Sequence, residues 1–233
     1  MAAPIPDISP LELALTFVPP LMVVGLLMQW QGKARTGLLA LVRMLVQLLA
    51  IGYVLVLLFD SNHPTVIGAV LLFMGTVAAW IATRTVETHR HQAFGQAWLA
   101  VILVSLPVLA LITQVVIGVE PWYNPRYLIP LGGMVFSAAM NAVSLSAERL
   151  QAERERGRSR AEARRIALEA AMIPVTNTLL AVGLVALPGM MTGQILSGVS
   201  PLLAVKYQIV IMTMLFGVAG LSAALYLIQA SRT

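Results

Sequence analysis

The stretch that decides the fold is Gly37-Leu-Leu-Ala-Leu-Val-Arg43-Met-Leu-Val-Gln47-Leu-Leu-Ala-Ile-Gly52-Tyr-Val-Leu-Val-Leu-Leu-Phe59. It carries one charge, on Arg43. A helix needs roughly 20 predominantly apolar residues to cross a hydrocarbon core. The run is continuously apolar and lacks the alternation of a membrane barrel strand. Working outward, six more runs share its character: Leu11–Trp30, Pro64–Thr83, Ala97–Val119, Leu128–Ala147, Ile166–Leu187 and Tyr207–Gln229. The pattern predicts an all-α membrane protein, a polytopic bundle of about seven transmembrane helices, with residues 1–233 forming one transmembrane domain.

Composition agrees. Hydrophobic residues make up 59% of the chain and charged residues 11%. Soluble domains carry about 25% charged residues, so too few are present here to coat a water-facing surface. There are no cysteines, which excludes a disulfide framework, cysteine-ligated zinc and iron–sulfur clusters. Met1–Pro10 contains Asp7 and no Lys or Arg. A signal peptide needs a basic leading region, so the first apolar run is expected to stay in the mature protein.

Lys and Arg set the expected orientation. Lys33, Arg35, Arg84 and Arg90 fall in the first and third connections. Arg149, Arg154, Arg156, Arg158, Arg160, Arg164 and Arg165 fall in the fifth, and Arg232 ends the chain. Only Arg126 and Lys206 lie on the other side. Positive residues concentrate on the cytoplasmic side. The N-terminus is therefore expected outside and the C-terminus in the cytoplasm. No internal repeat marks an inverted-repeat transporter.

Four features bear on function. The segment Glu148–Glu169 holds seven Arg and five Glu, in helix-compatible pairs such as Arg149 with Glu153 and Glu162 with Arg165. As a cytoplasmic polar segment over 148–169, it is either a solvated helix extension that touches anionic lipid or a docking surface for a partner. Gly157 and Ser159 weaken the helix midway and allow a bend. The second feature is Leu187-Pro188-Gly189-Met190-Met191-Thr192-Gly193-Gln194. An interrupted backbone at membrane depth is tolerated only against protein or a water-filled path. Gly189 and Gly193 also fit a small-xxx-small packing face. The Met190 and Met191 thioethers suit copper(I) better than hard ions, but define no metal site.

The third feature is Arg43, about 10 Å into its span at ~1.5 Å per residue, with Gln47 one turn later. It either snorkels to the interface or faces the bundle interior, where Asn141, Asn177 and Gln114 are the other strongly polar residues within spans. The fourth is Glu87-Thr88-His89-Arg90-His91. Its imidazoles could ligate a transition metal, but Arg90 opposes a cation, and a polar loop accounts for it better. No Gly-x-x-x-x-Gly-Lys-Ser/Thr, Ser-x-x-Lys, His-Glu-x-x-His or Gly-x-Ser-x-Gly occurs. The chain is therefore not expected to hydrolyse ATP or to be an enzyme.

Three blocks resemble the FetB family of bacterial iron-export permeases and their plant relatives linked to aluminium tolerance. The first is Arg43-Met-Leu-Val-Gln47 through Gly52-Tyr53. The second is Ile129-Pro130 through Met134, with Ala139-Met140-Asn141-Ala142. The third is Ala171-Met172-Ile173-Pro174, Val182–Gly193 and Ala204–Ile209. The resemblance runs from about Gly37 to Tyr226. It implies an ABC-type permease in the bacterial inner membrane, assembled as a homodimer with separate ATP-binding subunits that hold the ATP and magnesium. Iron or another metal would be its export substrate. No nucleic-acid partner and no cofactor in this chain are expected. Arg43, Gln47, Asn141, Pro188, Gly189, Met190, Met191, Gly193 and Gln194 are then candidates for the translocation path. Arg149, Glu153, Arg156, Arg160, Glu162, Arg164 and Arg165 are candidates for the ATPase contact. The connection here is shorter than the family's and lacks its Leu-Gly-Ala element. A stand-alone channel or secondary transporter, and a non-transporting scaffold, remain the alternatives.

Overall fold

A computed structural model describes residues 7–59, 63–84, 86 and 90–231. Among them the ordered elements are helical, and the one β-type contact is a lone bridge between Val182 and Ala186. Among the described residues, six helical segments are long and apolar enough to cross a membrane: Pro10–Gln29, Ala34–Val56, Pro64–Ala82, Arg90–Val116, Pro125–Glu155 and Pro201–Ala230. The chain gathers into two compact units, Met1–Ser61 and Asn62–Thr233. Each is described by itself.

In the first unit, α1 (Pro10–Leu15) starts with a capping box. The Ser9 N–H donates to the Glu12 carboxylate at 2.8 Å, and the Glu12 N–H donates to Ser9 Oγ at 3.3 Å. Pro19 and Pro20 cannot continue that ladder, so a new helix, α2 (Val18–Gln29), begins around them. A tight turn through Gln31, at φ 54°, leads into α3 (Ala34–Phe59). Val24 and Leu27 of α2 lie against Gly37 of α3. This pairing is the unit's small packed centre.

The second unit contains α4 (Pro64–Ala82), α5 (Arg90–Ala110), α6 (Pro125–Glu155), α7 (Arg160–Ala181), α8 (Gly189–Leu196) and α9 (Pro201–Ala230). Helix α5 passes Pro107 and widens into a π-helical turn over Leu111–Val116. A proline lacks the N–H that the α-ladder needs, and such wide turns commonly absorb the mismatch. Helices α6 and α9 form the centre and run parallel. Their N-terminal turns share one cavity, and at the other end Arg154 of α6 donates to the Ala230 carbonyl of α9 at 2.7 Å. At ~1.5 Å per residue each is about 45 Å long, longer than the ~30 Å hydrocarbon core. One end of α6 must therefore emerge from it.

Small residues let these helices meet. Gly75 of α4 faces Ile102 and Phe136, and a Cβ on Gly132 of α6 would come within 2.6 Å of Leu71. Ala163, Ala167 and Ala171 make one stripe along α7, each at most 3% exposed. That stripe leads into a cluster of Ala142, Ala171, Ala219 and Ala223, flanked by Leu168, Met172 and Val175. In lipid, helix association depends on such close approach and on interhelical hydrogen bonds. One of the latter is present where the Trp98 indole N–H donates to Thr76 Oγ1 at 3.0 Å.

The sixth apolar run differs from its hydropathy reading. Helix α7 covers it only to Ala181. The chain then turns at Gly183, φ 81°, with Val185 and Ala186 donating back to the Ala181 carbonyl at 2.8 and 3.2 Å. Pro188 then caps α8. Glycine's tolerance of positive φ and proline's missing donor set this break. The turn bonds its own amides, so the helix can stop without leaving these donors bare.

Replacing Ala167 by Leu puts three extra heavy atoms into a fully buried seam. Overpacking of this kind costs roughly 1–3 kcal/mol. Ala167→Leu is expected to lower the thermal midpoint of the detergent-solubilised protein, while Ala161→Leu, on the exposed side of the same helix, leaves it near the wild-type value. Equal midpoints for the two variants would contradict this packing.

Candidate functional site

The arginine-rich connection is a helix–turn–helix and not a single extended helix. Helix α6 ends in a Schellman motif: the Arg158 N–H donates to the Glu153 carbonyl at 3.2 Å, and the Gly157 N–H to the Arg154 carbonyl at 2.9 Å. Gly157 takes φ 75°, as that motif requires. Two residues on, Ser159 caps α7, its Oγ accepting from the Glu162 N–H at 3.3 Å. The signals for both ends were in the sequence: Gly at the C′ position and Ser-x-x-Glu at the N-cap.

Glu153 holds this corner. Its residue is 2% exposed, and its carboxylate meets Arg149 at 2.9 Å, Arg156 at 2.8 Å and Arg158 at 4.0 Å. Burying a carboxylate is costly unless cations and donors surround it. Three guanidiniums supply that, Arg149 from the turn of α6 before Glu153 and Arg156 and Arg158 from the turn after it. Of the proposed contact residues, Glu153 therefore serves as an internal anchor. Arg156 and Arg160 face outward, as do Arg158, paired with Glu162 at 2.9 Å, and Arg165, paired with Glu169 at 2.7 Å. Arg164 is half-buried. Next to this corner, a cleft of about 470 Å³ opens between the start of α5 and the ends of α6 and α9, lined by Gln92, Gln96, Gln151, Arg154, Glu155 and Tyr226.

The second candidate region is at the opposite end of α6 and α9. A cavity of about 290 Å³ is bounded by Arg126, Tyr127, Met190, Gln194, Leu203 and Tyr207, among others. It brings two of the proposed path residues, Met190 and Gln194, against the first turns of α6 and α9. The Gln194 Oε1 is buried without a hydrogen-bond partner. Gly189 and Gly193 do not touch other helices, since a Cβ at either would meet nothing within 4 Å. Pro188 and Met191 are half-buried beside them. Asn141 lies on the exposed side of α6. Arg43 and Gln47 are both exposed, on α3 of the first unit.

Of the other polar residues, Gln114 donates to the Trp122 carbonyl at 3.1 Å and closes the loop after α5. Glu87, Thr88 and His89 lie outside the described residues, and Arg90 stacks over the Trp80 ring at 5.8 Å. Among the described residues, no group of three or more His, Cys, Asp or Glu could hold a metal ion. Periodicity did not reveal the cavity, because its walls come from segments far apart in sequence. The nearest signal was Arg126, a lone basic residue just ahead of the fifth apolar run.

Long apolar helices joined through buried alanine seams, with charges gathered at one end, define a multi-pass helical membrane protein. The chain belongs to UPF0014, described as an uncharacterised protein family, whose model matches residues 9–164 and 156–233. The two matches overlap within the α6–α7 corner. A UPF0014 membrane protein of Synechocystis sp. is 38% identical over 80% of this chain and 78% of its own. The probable iron export permease protein FetB of Escherichia coli is 31% identical over 77% of this chain and 74% of its own. The protein ALUMINUM SENSITIVE 3 of Arabidopsis thaliana is 30% identical over 78% and 70%. No solved structure matches the chain.

Glu153→Gln keeps the shape and removes the charge that the three arginines share. Hydrogen bonds to charged groups contribute about 1.5–3 kcal/mol each. The variant is expected to lose a comparable amount of stability and to exchange its amide hydrogens faster over residues 153–160. Glu169→Gln, in an exposed pair, should change stability by less than about 0.5 kcal/mol. A Glu153→Gln loss no larger than that of Glu169→Gln would contradict the anchoring role.

Proposed function

We propose that the chain is the membrane-spanning permease subunit of an ABC-type transporter in a bacterial inner membrane, exporting iron or another metal species with energy from a separate ATP-binding subunit. The observation that carries this reading is the α6–α7 corner. It is a rigid, backbone-locked turn bearing outward arginines, on a protein that otherwise offers little polar surface. A motor in the cytoplasm needs such a handle, because only a stiff element can transmit a change of state to the spans. The similarity to a protein named as a probable iron export permease supports the transport role and the choice of metal.

In this reading the N-terminus is outside, the C-terminus is in the cytoplasm, and α7, its turn and α8 together make one interrupted crossing, for seven in all. Two copies pair with two ATPase subunits. The apolar face around Ile173, Leu180, Leu184, Val185 and Leu187 is strongly exposed, and it is where a second copy or lipid lies. Each ATPase state favours one of two helix arrangements, which is what coupling requires. Within the second unit, Asn141 and Pro188–Gln194 border the path.

The test is co-purification of an ATPase with the chain, followed by measurement of its iron-stimulated activity in proteoliposomes. Reversing Arg160 and Arg165, outward arginines that do not hold Glu153, to Glu is expected to reduce the stimulation about tenfold, equivalent to ~1.4 kcal/mol of contact energy, with insertion unchanged. Iron flux through the chain alone, without ATP, would favour a channel instead. A partner that binds with no flux under any condition would favour a scaffold. Gly193→Leu fills open space and clashes with nothing, so it should lower transport while abundance stays normal. Wild-type transport in that variant would remove Gly193 from the path.

A further inference from the structure

We infer that the cavity between the first turns of α6 and α9 and helix α8 takes its metal as an anionic, oxygen-rich chelate and not as a bare cation. The inference rests on the transport reading above and names the form of its substrate. Three observations carry it.

The first is the donor set. No Asp, Glu, His or Cys lines this cavity, so no side chain there brings a carboxylate, imidazole or thiolate to a bare iron ion. The amide and the thioether are weak donors for a hard cation, and the Tyr127 and Tyr207 phenols bind one only after giving up their protons beside a guanidinium. The second is charge. Arg126 borders the cavity and has no ion pair among those found between described residues. An approaching cation meets an uncompensated guanidinium, whereas an anion meets a forked donor that suits a carboxylate in geometry and sign. The third is the buried Gln194 Oε1, which accepts no hydrogen bond. A buried acceptor left without a partner is unfavourable, so a ligand that supplies a hydroxyl or a metal-bound water to it gains affinity.

Together these ask for a ligand with negative oxygens for Arg126, acceptors for the Tyr127 and Tyr207 hydroxyls, and at least one donor for Gln194. A hydroxycarboxylate complex of ferric iron has all three. The Met190 thioether then packs against the ligand's carbon skeleton and coordinates nothing.

The experiment is equilibrium binding to the full chain with its ATPase partner in lipid nanodiscs, with radiolabelled ferric citrate and radiolabelled ferrous ion as separate probes. Ferric citrate is expected to bind, and excess citrate alone to compete. Arg126→Gln should weaken that binding about tenfold, with Arg126→Lys intermediate and Gln194→Leu also weaker. Tyr207→Phe provides an independent wall variant should Arg126→Gln fail to insert. Ferrous ion bound as tightly by Arg126→Gln as by the unmutated chain, with ferric citrate bound by neither, would overturn the inference. So would ferric citrate binding that none of the variants alters. In either case iron-stimulated ATPase activity would persist and the transport reading would stand. Absence of stimulation by every iron form would instead sink the transport reading.

Discussion

Hydrocarbon offers a peptide group no hydrogen bond. A backbone amide or carbonyl that enters it must bring its partner along. Continuous apolar helices follow from that constraint, as do the internal bonds of the turn at Val182–Ala186, where the chain stops being a helix. The constraint also changes how the bundle holds together. Lipid tails solvate leucine as well as protein does, so burying leucine gains little. Close contact is what remains, and the Ala163-Ala167-Ala171 stripe and the glycines facing Phe136 and Leu71 supply it.

The same economy explains the charged corner. Helix α6 is too long for the membrane, and its excess carries the arginines. Left to themselves, Arg149, Arg156 and Arg158 would repel one another. The Glu153 carboxylate, buried among them, turns a repulsive cluster into a fixed one. The Schellman turn at Gly157 and the Ser159 cap then set the direction in which the remaining guanidiniums point. The corner is also where the two family matches overlap.

Much of the fold was legible in the sequence, for one reason. Length and hydropathy report directly on the cost of the bilayer, and runs such as Gly37–Phe59 leave little else to read. The alanine seam of α7 was less visible, since alanine every fourth residue within an Arg- and Glu-rich segment reads as a solvated helix. The corner was half legible: Gly157 and Ser159 announced a bend, but the burial of Glu153 did not show, because Glu in a charged run is ordinarily exposed. The break after Ala181 was hidden by Leu184, Val185 and Leu187, whose hydropathy imitates a continuing span. At the candidate site, Met190 and Gln194 were identified from the Pro–Gly interruption. Arg126, Tyr127 and Tyr207 were not, because they meet only through the parallel pairing of α6 and α9.

The central claim is that the α6–α7 corner faces the cytoplasm as the handle for an energy-supplying partner. The chain has no cysteine, so Arg160→Cys creates a unique thiol at the tip of the corner. Its labelling by a membrane-impermeant maleimide, compared between intact cells and inverted membrane vesicles, measures the claim directly. The account predicts labelling in the vesicles and none in intact cells. Labelling in intact cells would contradict it, because a corner exposed to the outside could not meet a cytoplasmic ATPase.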